Sequence, residues 1–217
     1  MQPALPRPRP ARLVLDGRYA RLEPLAAAHA AALYEASTGP GADARFAYLF
    51  DVPPASISDM NAWIAKVTAD DDPLFCAVID KATGRAAGRQ ALMRITPEHG
   101  VIEIGNILWG PAISRTRAAT EALYLAARHV FEDLGYRRFE WKCNDLNQPS
   151  KASAKRFGFA YEGLFRQHLW TKGANRDTAW FSMLDSEWPR FRREYDRWLD
   201  PANFDAAGNQ HSKLQIV

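Results

Sequence analysis

Apolar and polar positions along this chain change period several times, and each change marks a new element. Leu13-Val-Leu15 and Tyr19-Ala-Arg-Leu-Glu-Pro24 read as an opening strand bent at Asp16-Gly17, a turn pair. Leu25 to Ala36 is alanine-rich and helix-forming, and Gly39-Pro-Gly41 breaks it. Phe46 to Pro54 is an aromatic loop ending in Pro-Pro, after which Ser56 or Ser58 is placed to cap a helix running to about Ala69. Leu74 to Ile79 and Ala87 to Ile95 form a strand, turn, strand pattern around Asp80–Gly84. Glu98-His-Gly100 then turns the chain into a third strand, Val101 to Leu108.

From Thr116 to Leu134 the period lengthens. Leu123, Ala127, Val130 and Leu134 fall on one helix face, and Gly135 is placed to end that helix. Arg138 to Cys143 alternates into a strand. Ser150 to Phe157 is a short helix stopped by Gly158. Tyr161 to Lys172 and Thr178 to Leu184 make a final hairpin around Gly173–Asp177, and Glu187 to Leu199 is an amphipathic helix. The expected fold is α+β: a mixed, mostly antiparallel sheet flanked by helices. The long crossover helix makes the strands on either side of it parallel neighbours.

A chain of 217 residues suits one domain. Residues 1–11 are a Pro/Arg-rich tail expected to be disordered, 12–199 the domain, and 200–217 a polar, loose C-terminal tail. Hydrophobic content of 47% and charged content of 24% are ordinary for a soluble protein. No apolar run reaches the ~18 residues of a membrane span, and the N-terminus has no signal-peptide core. Arg7, Arg9 and Arg12 account for the whole net charge of +3, so the remainder is balanced and no nucleic-acid partner is expected. Cys76 and Cys143 both fall in predicted strands and read as reduced core thiols, which suits the cytoplasm. Asp70-Asp-Asp72 reads as a solvated turn, and no metal-ligand spacing, P-loop or nucleophile elbow is present.

The chemistry concentrates between Ile102 and Phe159. Its central turn, Pro111 to Thr120, feeds directly into a helix, whose first-turn N–H groups and dipole suit a phosphate. After the next strand come Asn147-x-x-Ser150 and Arg156-Phe-Gly-Phe159. Together these resemble the GNAT acyltransferases, and within them the RimJ/RimL type, which acetylates amines with acetyl-CoA. The order of elements matches over roughly residues 12 to 185. The resemblance implies that the parallel strand pair splays to admit the pantetheine arm. It implies cofactor contacts from Leu108, Trp109, Arg115, Thr116, Arg117, Ala118, Ala119, Thr120, Asn147 and Ser150. The chain departs from the family at the loop. Aligned on Ala119-Thr120-Glu121-Ala122, both glycine slots hold arginine, Arg115 and Arg117, whose side chains then offer phosphate contacts in place of close backbone approach.

Thioester aminolysis needs a neutral amine, yet an α-amine titrates at about 8 and a lysine at about 10, so a proton acceptor is required. Glu103 interrupts the apolar strand Ile102–Ile104, and burial there raises a carboxyl toward a useful range. The same residue equally fits a structural role held by a buried partner, or substrate recognition. Ser150 reads as a helix cap and, by resemblance, as the group that returns a proton to the leaving thiolate. Asn147 reads as a cap or as a partner of a pantetheine amide. RimL-type enzymes carry a further glutamate in the first strand of the final hairpin; this chain has Leu169 there, with His168 beside it as an outside candidate for the base. Arg176-Asp177 reads first as a turn-stabilising ion pair or cap and second, by resemblance to the aspartate that RimJ/RimL proteins often carry there, as an amine-binding acid. Phe46, Tyr48, Phe50 and Trp63 read as core rings or as an apolar acceptor pocket.

The expected function is acetyl transfer from acetyl-CoA to a primary amine, on a small molecule or a protein N-terminus, by a monomer or homodimer. The rival, motivated by the missing loop glycines and glutamate, is an inactive acyl-CoA-binding sensor or interaction module.

Overall fold

The computed structural model describes residues 5–216. The strands are β1 (Leu15–Asp16), β2 (Ala20–Pro24), β3 (Leu74–Asp80), β4 (Arg85–Thr96), β5 (Val101–Trp109), β6 (Arg138–Asn144), β7 (Ala160–Thr171) and β8 (Ala174–Leu184). Their order is β1-β2-β3-β4-β5-β6-β8-β7, and β5 and β6 are the one parallel pair. The helices are α1 (Ala30–Ser37), α2 (Ala42–Phe46), α3 (Ile57–Val67), α4 (Arg117–Arg128), α5 (Gln148–Arg156) and α6 (Trp188–Leu199). The α+β class with a mixed sheet is as expected. Among the described residues no helix is long and apolar enough to cross a membrane.

The chain makes two compact units, passing from one to the other after Arg9, at the end of β4, within β5 and within α4. One comprises residues 10–95 and 104–126. Its core packs Leu25, Leu33, Met60, Ile64, Phe75 and Ile79 between the helices and β3. Ser56 caps α3 by accepting the Asp59 N–H at 3.1 Å, which explains where that helix starts. On α4, Glu121 is 4% exposed and accepts the backbone N–H groups of Arg18, Tyr19 and Ala20 at 2.9, 2.5 and 2.7 Å. One buried carboxylate thus locks the β1–β2 turn to the helix. Glu121→Gln keeps the shape but turns an amide NH2 toward those donors. The variant is expected to lose about 2 kcal/mol of stability, read as a lower urea midpoint at unchanged slope.

The other unit holds residues 96–103 and 127–216 with the described part of the N-terminal arm, residues 5–9. Phe139 packs on Phe131 and Phe159, Trp141 on Phe157 and Phe159, and Trp188 stacks on Phe131 at 5.3 Å. The helix reaches its expected end at Leu134, but past Arg128 it changes from α to a π-helical turn, His129–Asp133, where the Leu134 N–H reaches the His129 carbonyl at 3.0 Å. Gly135 at φ 66 closes it as expected.

The final hairpin turns earlier than the sequence suggests. Lys172 and Gly173 have φ 50 and 74, the two left-handed residues of a tight hairpin turn, so Ala174–Asp177 belong to β8. The Asp177 carboxylate accepts the Gln167 N–H at 2.7 Å and an Asn175 N–H at 2.8 Å, fixing the irregularity in β7 between Phe165 and Leu169. Its role as a cap is therefore to a bulge rather than to a turn.

The described residues near both ends of the chain make contacts. The Arg7 N–H donates to the Pro97 carbonyl at 3.0 Å; residues 1–4 lie outside the described residues. At the other end Asn203, Ser212 and the Trp198 carbonyl form one hydrogen-bonded knot, and Ile216 is 2% exposed. The Ile216 side chain sits 2.5 Å from where a Cβ on Gly158 would stand, so only glycine at that φ of 93 admits it.

Candidate active site

The loop ahead of α4 is built by short-range hydrogen bonds. The N–H groups of Ile113 and Ser114 donate to the Gly110 carbonyl, and the Thr116 N–H and hydroxyl to that of Ile113. Ser114, Arg115 and Thr116 are exposed, Arg117 is half-buried, and Ala118, Ala119 and Thr120 are buried. Arg115 stands at φ 64. An arginine in the first glycine slot therefore adopts the conformation that glycine takes freely, at a cost of about 1 kcal/mol, and the loop keeps that path. The two arginines are not equivalent. The Arg117 guanidinium lies 4.3 Å over the Tyr19 ring, whereas Arg115 is exposed. The amides of the first turn have no carbonyl within the helix to meet. An exposed, cationic, amide-rich loop fits a pyrophosphate.

Leu108 and Trp109 end β5 in the same unit. Trp109 Nε1 donates to Gln90 Oε1 at 3.4 Å, and Gln90 Nε2 to the Ala122 carbonyl at 3.0 Å. The Leu108 carbonyl lies 2.6 Å from where a Gly88 Cβ would be, so β4 and β5 approach closely there because residue 88 has no side chain. Asn106, within β5, has φ 51, a local break in strand geometry.

In the other unit Asn147 is the N-cap of α5, its Oδ1 accepting the Ser150 N–H at 3.1 Å. Ser150 is one turn in, half-buried, and its Oγ accepts the Trp141 indole N–H at 3.0 Å. The same hydroxyl contacts the Cys143 thiol, which burial pushes up and Ser150 eases down. A hydroxyl that already accepts a hydrogen bond has its own proton directed elsewhere, and is a better donor for it. Cys76, its S–H on the Gln90 carbonyl, is pushed up to about 12 by burial. Both cysteines are free thiols.

Glu103 is 5% exposed, but it is not a lone carboxylate in an apolar strand. Lys142 Nζ on β6 donates to its Oε2 at 2.9 Å, and the same ammonium meets Glu140 at 2.7 Å and lies 3.9 Å over the Trp180 ring. Arg138 joins Glu140 at 2.7 Å and Glu162 at 2.5 Å, and Ser182 donates to Glu162 at 2.6 Å. Of the partners open to Glu103, the one present is a lysine that shares its pocket. His168 Nδ1 lies 2.9 Å from Thr178 Oγ1, and its ring stands 6.1 Å from that of Trp180. Trp180 therefore links His168 to the Lys142 ammonium on one polar sheet face. Lys142, Glu140 and Trp141 were missed in the sequence. The signal for the first two was there: Arg138, Glu140 and Lys142 alternate with Phe139, Trp141 and Cys143, a charged face on a strand otherwise buried.

One ion pair carries a pH prediction. Arg138 holds the Glu162 carboxyl down at about 2, helped by Ser182 and opposed by partial burial. A carboxyl lowered in the folded state contributes fully above 4.5 and loses that contribution as pH falls toward about 2. Its side chain is 40% exposed, so solvent screening leaves about 1 kcal/mol. Glu162→Gln should lower the urea midpoint at pH 7 and make the remaining stability flatter across that acid window.

Among the described residues no group of His, Cys, Asp and Glu is arranged to hold a metal. A model of the acetyltransferase (GNAT) domain family matches residues 20–160, and the chain belongs to that family. It is 56% identical to a GCN5-related N-acetyltransferase from Brucella melitensis of known crystal structure, with a TM-score of 0.97 over 99% of this chain and 98% of that one. A probable GNAT-family acetyltransferase from Chromobacterium violaceum is 38% identical, with a TM-score of 0.78 over 84% of this chain and 91% of that one. The uncharacterized N-acetyltransferase p20 of Bacillus licheniformis is 31% identical over 134 residues, 60% of this chain and 72% of that protein.

Proposed function

We propose that this acetyltransferase is of RimJ/RimL type, uses acetyl-CoA, and acetylates a primary amine by direct attack on the thioester carbonyl. The observation that carries the reading is the α4 loop: Arg115 at φ 64 keeps a glycine-like path while adding an exposed cation at a helix start. The first-turn amides and Arg115 bind the pyrophosphate, with Leu108 and Trp109 along the pantetheine. An N–H on strand 104–109 stabilises the oxyanion. Glu103, through water, accepts the amine proton, and His168 stands on the same face as the reserve acceptor. Asn147 positions α5, and Ser150 Oγ donates to the departing sulfur. The two free thiols favour the cytoplasm.

A second reading, an acyl-CoA sensor without turnover, draws on the Glu103–Lys142 pair, which engages the proposed base. Calorimetric titration with acetyl-CoA separates them when followed by an amine panel with thiol release as the readout. Micromolar binding is expected, weakened about tenfold by Arg115→Gly, which removes one phosphate-directed charge without straining φ. An absence of binding sinks both readings; binding without thiol release on any amine selects the sensor.

A further inference from the structure

The first unit contains a cavity of about 400 Å³ that the loop chemistry leaves unused. Phe46, Phe50 and Trp63 meet there, with Met60 and Val52; Tyr48 is not in the lining. The volume is within the range of small-molecule sites. Two features show that it is built for an occupant. Phe50 and Val52, at 57% and 67% exposure, present large apolar surface to solvent beside it. Ser37, 1% exposed, lines the cavity, and its hydroxyl has no hydrogen-bond partner among the described residues. A buried hydroxyl without a partner costs stability unless a ligand supplies one.

The charges narrow the ligand further. Arg89 is buried, but its guanidinium is engaged: it meets Asp51 at 2.5 Å and lies 4.3 Å over the Trp63 ring. Asp59 adds a second carboxylate to the lining, leaving it one negative charge in excess: Asp51 and Asp59 against Arg89. An anion is therefore disfavoured.

We propose that this cavity takes the side group of the acceptor, an uncharged ring bearing a hydrogen-bonding atom for Ser37, joined to the primary amine. The proposal deepens the transferase reading and rests on it for the word acceptor; the binding site itself does not depend on turnover. Its chemistry is that of a hydroxyaryl-alkyl amine, whether free or as the first residue of a chain.

Calorimetry on the full chain with tyramine, 2-phenylethylamine, ethylamine and 4-hydroxyphenylacetate tests it, alongside thiol release from acetyl-CoA for each amine. Tyramine should bind at least about tenfold tighter than ethylamine, from ring burial, and about threefold to tenfold tighter than 2-phenylethylamine, from the hydrogen bond. The carboxylate should not bind. Ser37→Ala removes an unpartnered hydroxyl, so it should fold at least as well as the parent and lose only the tyramine preference. Phe50→Ala, at an exposed ring, should weaken both aryl amines. A tyrosine-initial tetrapeptide tells the sources apart: whichever of it and tyramine binds tighter names the natural one. Equal affinity for all the amines, or a ring preference that survives both variants, overturns the cavity's assignment while leaving any observed acetyl transfer intact. Ring-selective binding without thiol release upholds the cavity and overturns the transferase reading.

Discussion

Replacing Lys142 with methionine is expected to cost about 4 kcal/mol at pH 7, because it leaves two buried carboxylates facing each other without their shared cation. The ammonium sits 2.9 Å from Glu103 and 2.7 Å from Glu140, and the lysine and Glu103 side chains are 7% and 6% exposed. Removing one partner of such a cluster is far costlier than removing both. Glu103→Leu combined with Lys142→Met should accordingly recover most of the loss, since Glu140 keeps Arg138 at 2.7 Å. Urea unfolding at pH 7 reads both effects. A single-variant loss below about 1 kcal/mol would mean that solvent, not burial, sets the energetics of this cluster.

Glu103→Gln is expected to lower kcat about 100-fold with little change in acetyl-CoA affinity, which is the usual reach of one general base. The amide keeps the size of the side chain and one oxygen for Lys142, so folding should survive. What disappears is the ability to accept a proton, and with it the acidic limb of the kcat profile. A variant with the parental rate and the parental pH profile would reduce Glu103 to the counter-ion of Lys142 and move the search to His168. That histidine is coupled to the same face through Trp180, so His168→Gln is the matched comparison.

Much of the fold was legible because the signals are local. The strands from Leu74 to Trp109 alternate or run apolar over lengths that only strands use, and Ser56, Asn147 and Gly135 mark helix ends through bonds to their own neighbours. The loop before α4 was legible for the same reason, since a helix start carries its own amides. The π-helical turn that finishes α4 and the two-residue hairpin turn were harder. A π-helical turn has no composition signal, and Lys172 is an unusual residue for a left-handed position.

By itself, then, the sequence determined the elements, their order, the loop ahead of α4 and the family resemblance. These depend on period, caps and spacing within a few tens of residues. Tertiary structure alone decided which charges meet. Glu103 and Lys142 are 39 residues apart, and Glu121 reaches Ala20 across 101, so no window of sequence contains both partners. It also decided that Ser37, Phe50 and Trp63 share one cavity with Arg89. Burial makes these meetings consequential: a carboxylate or hydroxyl taken out of water must find its partner in the fold, wherever along the chain that partner lies.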